Sequence, residues 1–288
     1  MKRYAIGVDI GSTCAKAVVL DRDGAILERL LLPTGWSSVD TASTVRERLA
    51  AWVDDAAVVS TGYGRVCVPY ADRNVTEITC HAKGACYIHG TGDLTVVDIG
   101  GQDTKVIRVE GGLVGDFLMN DKCSAGTGRF LEVMANTLGV RPEELCGLAS
   151  RGGGTTISSM CTVFAESEVT SLIGRGEARE NIAFAVVDSI VTKVASQAAR
   201  LLSQGRAGGE VCLTGGLCDY GYLRESLARA LGRPVLASPD GRFAGAIGAA
   251  LTAQGIAAKA NASAGRAFSA TNAEGGGAAG GDISSRQG

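Results

Sequence analysis

Residues 9–16 read Asp-Ile-Gly-Ser-Thr-Cys-Ala-Lys, and residues 98–105 read Asp-Ile-Gly-Gly-Gln-Asp-Thr-Lys. The two segments carry the same residue at four of eight aligned positions, all at one constant offset. Each follows a short apolar run and precedes a second strand pattern, so each predicts a strand, a turn and another strand. This internal repeat predicts two related α/β domains. If the domains face one another, both turns converge on a cleft between them.

The repeat divides the chain of 288 residues into two predicted α/β domains and a tail. The first domain covers residues 1–93, and the second covers residues 94–255. A chain of this length can give each domain its own hydrophobic core. From residue 256 onward the sequence is dominated by Ala, Gly, Ser and Asn. It has too few apolar side chains to offset the entropy of ordering, so residues 256–288 are expected to be disordered.

Apolar spacing of three and four residues predicts the helices between the strands. The spacing places them at residues 40–53, 76–89, 177–204, 221–231 and 243–254. Two further helices are expected to begin near Cys123 and at Cys161.

The overall charge excludes some classes of partner. The chain has 28 basic and 30 acidic residues and no basic tract, which argues against nucleic acid or an anionic membrane. The N-terminus enters a strand pattern directly, and no run of about 18 apolar residues is present, so a cytoplasmic protein is expected. In that compartment the nine cysteines are expected to be catalytic, metal-binding or buried thiols rather than disulfides.

The small residues of the two repeated turns predict phosphate binding, because backbone N–H groups can approach an anion closely there. Asp9 and Asp98 end the strands before the turns and are placed to hold Mg²⁺ through water. The purely structural alternative is a pair of tight hairpins whose aspartates cap the turns. Two copies in register favour phosphate binding, and the spacing matches neither a P-loop nor a dinucleotide fingerprint. The candidate phosphate ligands are Gly11, Ser12, Thr13, Lys16, Gly100 and Gly101.

Two cysteines lie in polar turns that precede helical patterns. Cys123 lies within Asn-Asp-Lys-Cys-Ser-Ala-Gly-Thr-Gly, residues 120–128, and Cys161 follows Ser-Ser-Met. A helix start favours an anion such as a thiolate. Two thiolates do not complete a [4Fe–4S] site, which takes four, but a two-fold symmetric dimer supplies the other pair. Zinc held by four cysteines across a dimer has the same ligand count and stays open.

A third Gly turn follows a strand at Gly215-Gly216. Three such turns in a duplicated α/β chain resemble the ATPase domain shared by actin, Hsp70 chaperones and sugar kinases. The resemblance covers about residues 4–250. It implies that the first two turns hold the phosphates of ATP, that the third contacts adenosine, and that Asp9 and Asp98 serve the metal ion and water. By position only, Gln102 and Asp103 are candidates for orienting the attacking water.

The cysteine segments also carry a resemblance. Residues 120–131 and 161–169 are similar to the ATP-dependent activators of 2-hydroxyacyl-CoA dehydratases, the 2-hydroxyglutaryl-CoA dehydratase activator family. Residues 97–105, 61–65 and 80–84 resemble that family too. The likeness implies a homodimer with one [4Fe–4S] cluster held by Cys123 and Cys161 of both subunits.

The same likeness implies an ATP-driven transfer of one electron to a partner dehydratase, after reduction by ferredoxin or flavodoxin. The activating subunits of benzoyl-CoA reductases share this pattern and are an alternative.

Two alternatives come from other functional classes. A small-molecule kinase on the same scaffold needs a carboxylate to accept a hydroxyl proton, and only Asp98 or Asp103 is available. It also leaves Cys123 and Cys161 unexplained. The second alternative is a non-catalytic, ATP-sensing regulator or a zinc-bridged dimer. A zinc site on the helix at 76–89 is disfavoured, because its cysteines six residues apart fall on different helix faces.

Overall fold

The computed structural model describes residues 2–120, 123–158, 161–203 and 209–274, with side chains through residue 262. The repeat read from the sequence is present as two five-stranded mixed sheets with the same strand order. The central strand of the second sheet is buried along its whole length, and that of the first is buried after its half-buried first residue, Tyr4. The third strand of each repeat instead alternates between half-buried and exposed side chains. That alternation is typical of an edge strand with one solvated face.

The first sheet has the strand order β3-β2-β1-β4-β5. β1 and β2 are antiparallel, as are β2 and β3, whereas β4 and β5 continue the sheet in parallel. Two short helices, α1 and α2, lead from β3 to β4. The bounds are β1 Tyr4–Ile10, β2 Cys14–Leu20, β3 Ile26–Pro33, α1 Ser38–Arg48, α2 Ala50–Val53, β4 Ala56–Thr61 and β5 Arg73–Asn74, with a 3₁₀ turn at Arg65–Cys67.

The second sheet repeats this arrangement after a connecting helix, α3. Its strands are β6 to β10, in the order β10-β9-β6-β7-β8, so β6 takes the central place that β1 takes in the first sheet. The bounds are α3 Glu77–His89, β6 Leu94–Ile99, β7 Thr104–Glu110, β8 Leu113–Asn120, β9 Glu210–Gly215 and β10 Val235–Leu236.

Four helices are inserted between β8 and β9, and two more complete the chain. α7 supplies much of the second core, with buried side chains along its length that include Val186, Ile190 and Val194. α7 is long and apolar enough to cross a membrane by length and composition alone, and half of its most apolar stretch is buried inside the protein. The bounds are α4 Gly128–Thr137, α5 Pro142–Ala149, α6 Thr162–Gly174, α7 Arg179–Leu202, α8 Gly221–Leu231 and α9 Ala244–Glu274, with a 3₁₀ turn at Gly241–Phe243.

The C-terminal helix differs from the sequence-based prediction in two ways. α9 packs its buried alanines against the first sheet and α3, although residues 244–255 were assigned to the second domain. It also continues to Glu274, whereas disorder was expected from residue 256. Alanine has the highest helix propensity, so an Ala-rich segment extends a helix that is already docked. The rest of the predicted tail, residues 275–288, lies outside the described residues.

Candidate functional site

Asp9 and Asp98 occupy equivalent places at the ends of β1 and β6. Both are buried, with 4% and 2% of their surface exposed. A glycine from the neighbouring strand end covers each carboxylate: Gly62 beside Asp9 and Gly215 beside Asp98. Both glycines adopt a positive φ, of 89° and 86°. A Cβ on Gly62 would collide with the Asp9 carboxylate, and one on Gly215 would meet Asp98 Oδ1 at 2.9 Å.

Polar side chains surround Asp98 on every side. Thr214 Oγ1 donates a hydrogen bond to Asp98 Oδ1 over 2.8 Å, and His81 Nδ1 lies 3.2 Å from the same oxygen. Lys105 Nζ lies 3.4 Å from Oδ2. Burial alone would raise the pKa of Asp98, but the positive charges of His81 and Lys105 outweigh it and hold the pKa far below its usual range. Asp98 is therefore a firmly ionised and oriented carboxylate.

The two repeated lysines have different environments. Lys105 is buried and ion-paired with Glu77 at 3.0 Å and Asp103 at 2.8 Å, as well as with Asp98. Burial opposes its charge, but these carboxylates raise the pKa of Lys105 above its ordinary value. Lys16 extends towards the first turn, with Nζ 3.6 Å from the position of a Cβ on Gly11, and no ion pair involves it in the described ranges. Lys16 is thus the lysine available to a phosphate.

Asp9 is the carboxylate suited to a cation. No side chain or backbone group in the described part of the chain donates a hydrogen bond to it, although it is nearly fully buried. On its other side lies Gly245 of α9, where a Cβ would stand 2.6 Å from Asp9 Oδ2. A buried carboxylate without donors is costly unless a cation or water compensates for it. Hydrated Mg²⁺ binds such single carboxylates, so Asp9 suits that ion by its chemistry, whereas its side towards Gly245 is closely packed.

The two predicted phosphate turns are closed by the same backbone hydrogen bond and approach each other. Gly11 N donates to Cys14 O over 3.1 Å, and Gly100 N donates to Asp103 O over 2.9 Å. A Cβ on Gly101 would collide with the side chain of Thr13 and would stand 3.4 Å from Ser12 Oγ. The structure therefore brings Ser12, Thr13 and Gly101 together across the cleft. Their contact with phosphates stays a prediction.

The remaining candidate site residues near the cleft lie in different environments. Gly216 has no atom within 4 Å of the position of a Cβ, so open space lies beside the third turn, as an adenosine contact requires. Gln102 is exposed. Asp103 is bound to Lys105, which makes it a poor choice for orienting water. Of the two residues proposed for that task, Gln102 is the better placed.

The two candidate cluster cysteines lie in segments that contact each other. Cys161 is exposed and is the N-cap residue of α6, as predicted. Cys123 is half-buried and lies in the turn before α4, whose N-cap is Thr127, so it does not begin the helix itself. Ser124 Oγ and Thr162 Oγ1, each one residue beyond a cysteine, are 2.6 Å apart. The segments that carry the two cysteines are therefore in contact. Asp121, Lys122, Ser159 and Met160, just before the cysteines, lie outside the described residues.

A short hydrogen-bonded path joins the second phosphate turn to the cysteine turn. The first N–H groups of α4, at Gly128 and Arg129, donate to the carbonyls of Gly100 and Gly101 over 2.9 and 2.8 Å. Thr104 Oγ1 donates to a carbonyl in the cysteine turn, that of Gly126, over 2.6 Å. The start of α4 is thus satisfied by the phosphate turn rather than by a capping side chain. The segment that carries Cys123 is therefore hydrogen-bonded directly to that turn and to the strand after it.

The other cysteines are not arranged as a metal site. Burial raises the pKa of Cys80 to about 11, and that of Cys146 and Cys218 to about 12, so these thiols are poor ligands and nucleophiles. Within the ranges that the structure describes, no group of three or more Cys, His, Asp or Glu side chains could hold a metal ion. Cys123 and Cys161 thus remain the candidate pair of cluster ligands among the described residues of one subunit.

Sequence reasoning missed four residues of the cleft: Gly62, His81, Thr214 and Gly245. Thr61-Gly62 and Thr214-Gly215 are the same dipeptide at equivalent strand ends, and that second repeat was visible in the sequence. His81 lies in residues 80–84, which resemble the activator family, but neither that segment nor Gly245 indicated a place in the cleft, because both reach it through the packing of α3 and α9.

The profile of one ATPase family matches residues 6–253. The chain belongs to the BadF/BadG/BcrA/BcrD ATPase family. The (R)-2-hydroxyglutaryl-CoA dehydratase activating ATPase of Acidaminococcus fermentans is 40% identical over 265 residues, which cover 90% of this chain and 100% of that protein. The crystal structure of component A of that organism's dehydratase covers 88% of this chain and 99% of its own, at a TM-score of 0.82.

Two further structures place this family member among ATP-binding folds. An activator of 2-hydroxyisocaproyl-CoA dehydratase from Clostridium difficile, solved with bound ADPNP, is 35% identical, covers 90% of this chain and 97% of its own, and has a TM-score of 0.80. A ROK family glucokinase from Streptomyces griseus is 18% identical, covers 87% and 99%, and has a TM-score of 0.55. The predicted sugar-kinase-like ATPase fold is confirmed, and the chain is an ATPase of this family.

Proposed function

We propose that this ATPase is a one-electron donor that reduces a partner 2-hydroxyacyl-CoA dehydratase through a [4Fe–4S] cluster bridging a homodimer. The names of the relatives support the dehydratase as partner. The observation that carries the proposal is the hydrogen-bonded path from Gly100 and Gly101 to the start of α4 and the turn of Cys123. It joins the site of ATP to the thiols that would hold the cluster.

The residues present fit a cluster shared between two copies. A [4Fe–4S] cluster takes four thiolates and supplies one-electron chemistry when bound. Each subunit would contribute Cys123 and Cys161 from two segments that contact each other, and isologous contact about a two-fold axis would double the pair. Beside Cys161, Val163 and Phe164 expose 66% and 67% of their surface. Exposed apolar side chains next to the thiols suit burial against the second copy.

The roles that we propose for residues in nucleotide binding follow from the different environments of equivalent residues in the two repeats. Asp9 would hold hydrated Mg²⁺, and Lys16 and the backbone of both turns would bind the phosphates. Asp98 stays ionised and fixed, and Gln102 orients water for attack on the terminal phosphate. The kinase alternative is weaker, because Asp103, one of its two candidate bases, is ion-paired with Lys105 at 2.8 Å.

The coupling step is a movement of the second turn. Phosphate binding between Thr13 and Gly101 favours one separation of the two sheets over another, since a ligand shifts a two-state equilibrium by its differential affinity. The second turn moves with the second sheet and carries the start of α4 and Cys123 with it. Such a movement would change the exposure of the thiol pair, one of the factors that set the potential of a bound cluster. A cluster held there would supply one-electron chemistry, with a ferredoxin or flavodoxin as the proposed donor and the dehydratase as the proposed acceptor.

Anaerobic purification tests the proposal. We expect a brown protein with four iron and four sulfide per dimer, and ATP-dependent delivery of one electron to a 2-hydroxyacyl-CoA dehydratase. Cys161→Ser should lose the iron–sulfur absorbance and electron delivery while keeping nucleotide binding. Cys67→Ser, which changes a half-buried thiol outside both cysteine turns, serves as the control. Retained absorbance in Cys161→Ser, or a colourless dimer that contains zinc, would contradict the cluster.

A further inference from the structure

We propose that His81 is a positioning residue for ATP hydrolysis, which fixes Asp98 through Nδ1 and faces Asp9 through Nε2. The inference rests on the proposed roles of the two aspartates in ATP hydrolysis, and it does not depend on the cluster or on the partner enzyme. His81 lies on α3, the helix that connects the two sheets.

The geometry places one imidazole between the two repeats. His81 is 6% exposed, and its Nδ1 lies 3.2 Å from Asp98 Oδ1. Its Nε2 lies 2.8 Å from the position of a Cβ on Gly245, and Asp9 Oδ2 lies 2.6 Å from the same point. The ring therefore contacts the carboxylate of the second repeat and borders the space beside the carboxylate of the first.

A purely structural histidine would find its partners within its own core. The neighbours of His81 on α3 behave in that way, since Cys80 packs against α9 and Ala82 packs against the second sheet. His81 instead points at the strand-end carboxylates on which the candidate site is built. His81 Nδ1 is buried and has no well-aligned hydrogen-bond partner in the described chain, so the close charge pair with Asp98 Oδ1 is what offsets the cost of burying the ring.

The contact leaves Asp98 with a single orientation. Oδ1 accepts from Thr214 and faces His81, and Oδ2 faces Lys105, whose ammonium is itself held by Glu77 and Asp103. Water bound to Asp98 is then fixed relative to a nucleotide held on Asp9. A group misplaced by about 1 Å can lower a rate by about 10²-fold. Loss of the His81 contact should therefore lower kcat and leave ATP binding largely intact.

Replacing His81 by Asn or by Gln tests the roles of its two ring nitrogens separately. The amide nitrogen of Asn stands near the position of Nδ1, and that of Gln stands nearer to Nε2. We expect His81→Asn to keep the contact with Asp98 and to retain kcat within about threefold, whereas His81→Gln and His81→Ala lose about 10- to 100-fold. In all three, KM for ATP and the Kd for MgADP should change by less than about threefold. His89→Gln, at the end of the same helix, is the matched control and should match the wild-type protein.

The measurement is ATP hydrolysis by the full-length dimer without a partner enzyme. A kcat for His81→Ala within twofold of the wild type would overturn the proposal, as would an equal loss of kcat in the Asn and Gln variants. If thermal unfolding shows that His81→Ala does not fold, the comparison of kcat between His81→Asn and His81→Gln still tests the proposal. Failure of the electron-transfer proposal would be seen separately, as missing iron and sulfide in a wild-type protein that hydrolyses ATP.

Discussion

At the scale of single residues, the two repeated lysines have diverged. Lys105 compensates three carboxylates in a buried network, whereas Lys16 remains available beside the first turn. Removing one partner of a buried ion pair leaves an uncompensated charge and typically costs about 3–5 kcal/mol. Lys105→Met should therefore lower the free energy of unfolding by about 3–5 kcal/mol. Lys16→Met should cost less than about 1 kcal/mol but weaken ATP binding. Urea denaturation and nucleotide titration of both variants test this; equal destabilisation would contradict it.

The same network predicts how stability depends on pH. The pKa of Asp98 is depressed in the folded protein, so its contribution is complete above the pKa of an unfolded aspartate, about 3.9, and is lost as the pH falls towards the folded value. The free energy of unfolding should therefore fall on acidification below about pH 4. In Lys105→Met the depression is smaller, so the slope in that range should be shallower. Unfolding curves from pH 5 to pH 2 give both slopes, and parallel curves would rule out this network as their source.

At the scale of helices and strands, the sequence predicted what is local and repeated. The strands β1, β2, β6 and β7 and their turns follow from short-range patterns that occur twice. The position of α9 depends on contacts made across most of the chain, so no pattern within residues 244–274 indicates which sheet it joins. His81 and Gly245 reach the cleft through that same packing, which is why half of the site around Asp9 could not be predicted.

The contact between α9 and α3 depends on the absence of a side chain at Gly248. A Cβ there would collide with the carbonyl of Cys80, whereas a Cβ on Gly255, two turns later, would meet nothing within 4 Å. Gly248→Ala should destabilise the protein by about 1–3 kcal/mol through overpacking. Gly255→Ala should stabilise it by about 0.5–1 kcal/mol, because alanine restricts the unfolded chain and favours the helix. Thermal unfolding compares the two, and the opposite order would refute the close packing.

Removing a single hydroxyl group can weaken the link between the second phosphate turn and the segment before α4. Thr104→Val removes the hydroxyl that donates to Gly126 O and leaves that carbonyl unpaired, at a cost of about 1–3 kcal/mol. We expect iron content and ATP hydrolysis to remain near the wild type, while the number of electrons delivered per ATP falls. Thr95→Val, at a buried threonine of β6 without a side-chain hydrogen bond in the described chain, is the control. Unchanged coupling in Thr104→Val would show that the path through Gly126 is not used.

At the scale of the whole molecule, the proposed cluster makes assembly and redox function inseparable. Each copy brings two thiols, so a monomer cannot hold four ligands. Phe164→Asp places a charge on the exposed apolar surface beside Cys161, where desolvating an unpaired carboxylate would oppose dimer formation. The variant should behave as a monomer in light scattering, lack iron–sulfur absorbance and still bind MgADP in the cleft, because Phe164 is not among the proposed nucleotide ligands. Leu27→Asp, an equally apolar exposed position on β3, should remain a brown dimer. A brown monomer, or a colourless Phe164→Asp dimer, would separate the two properties and show that the cluster is not held between copies.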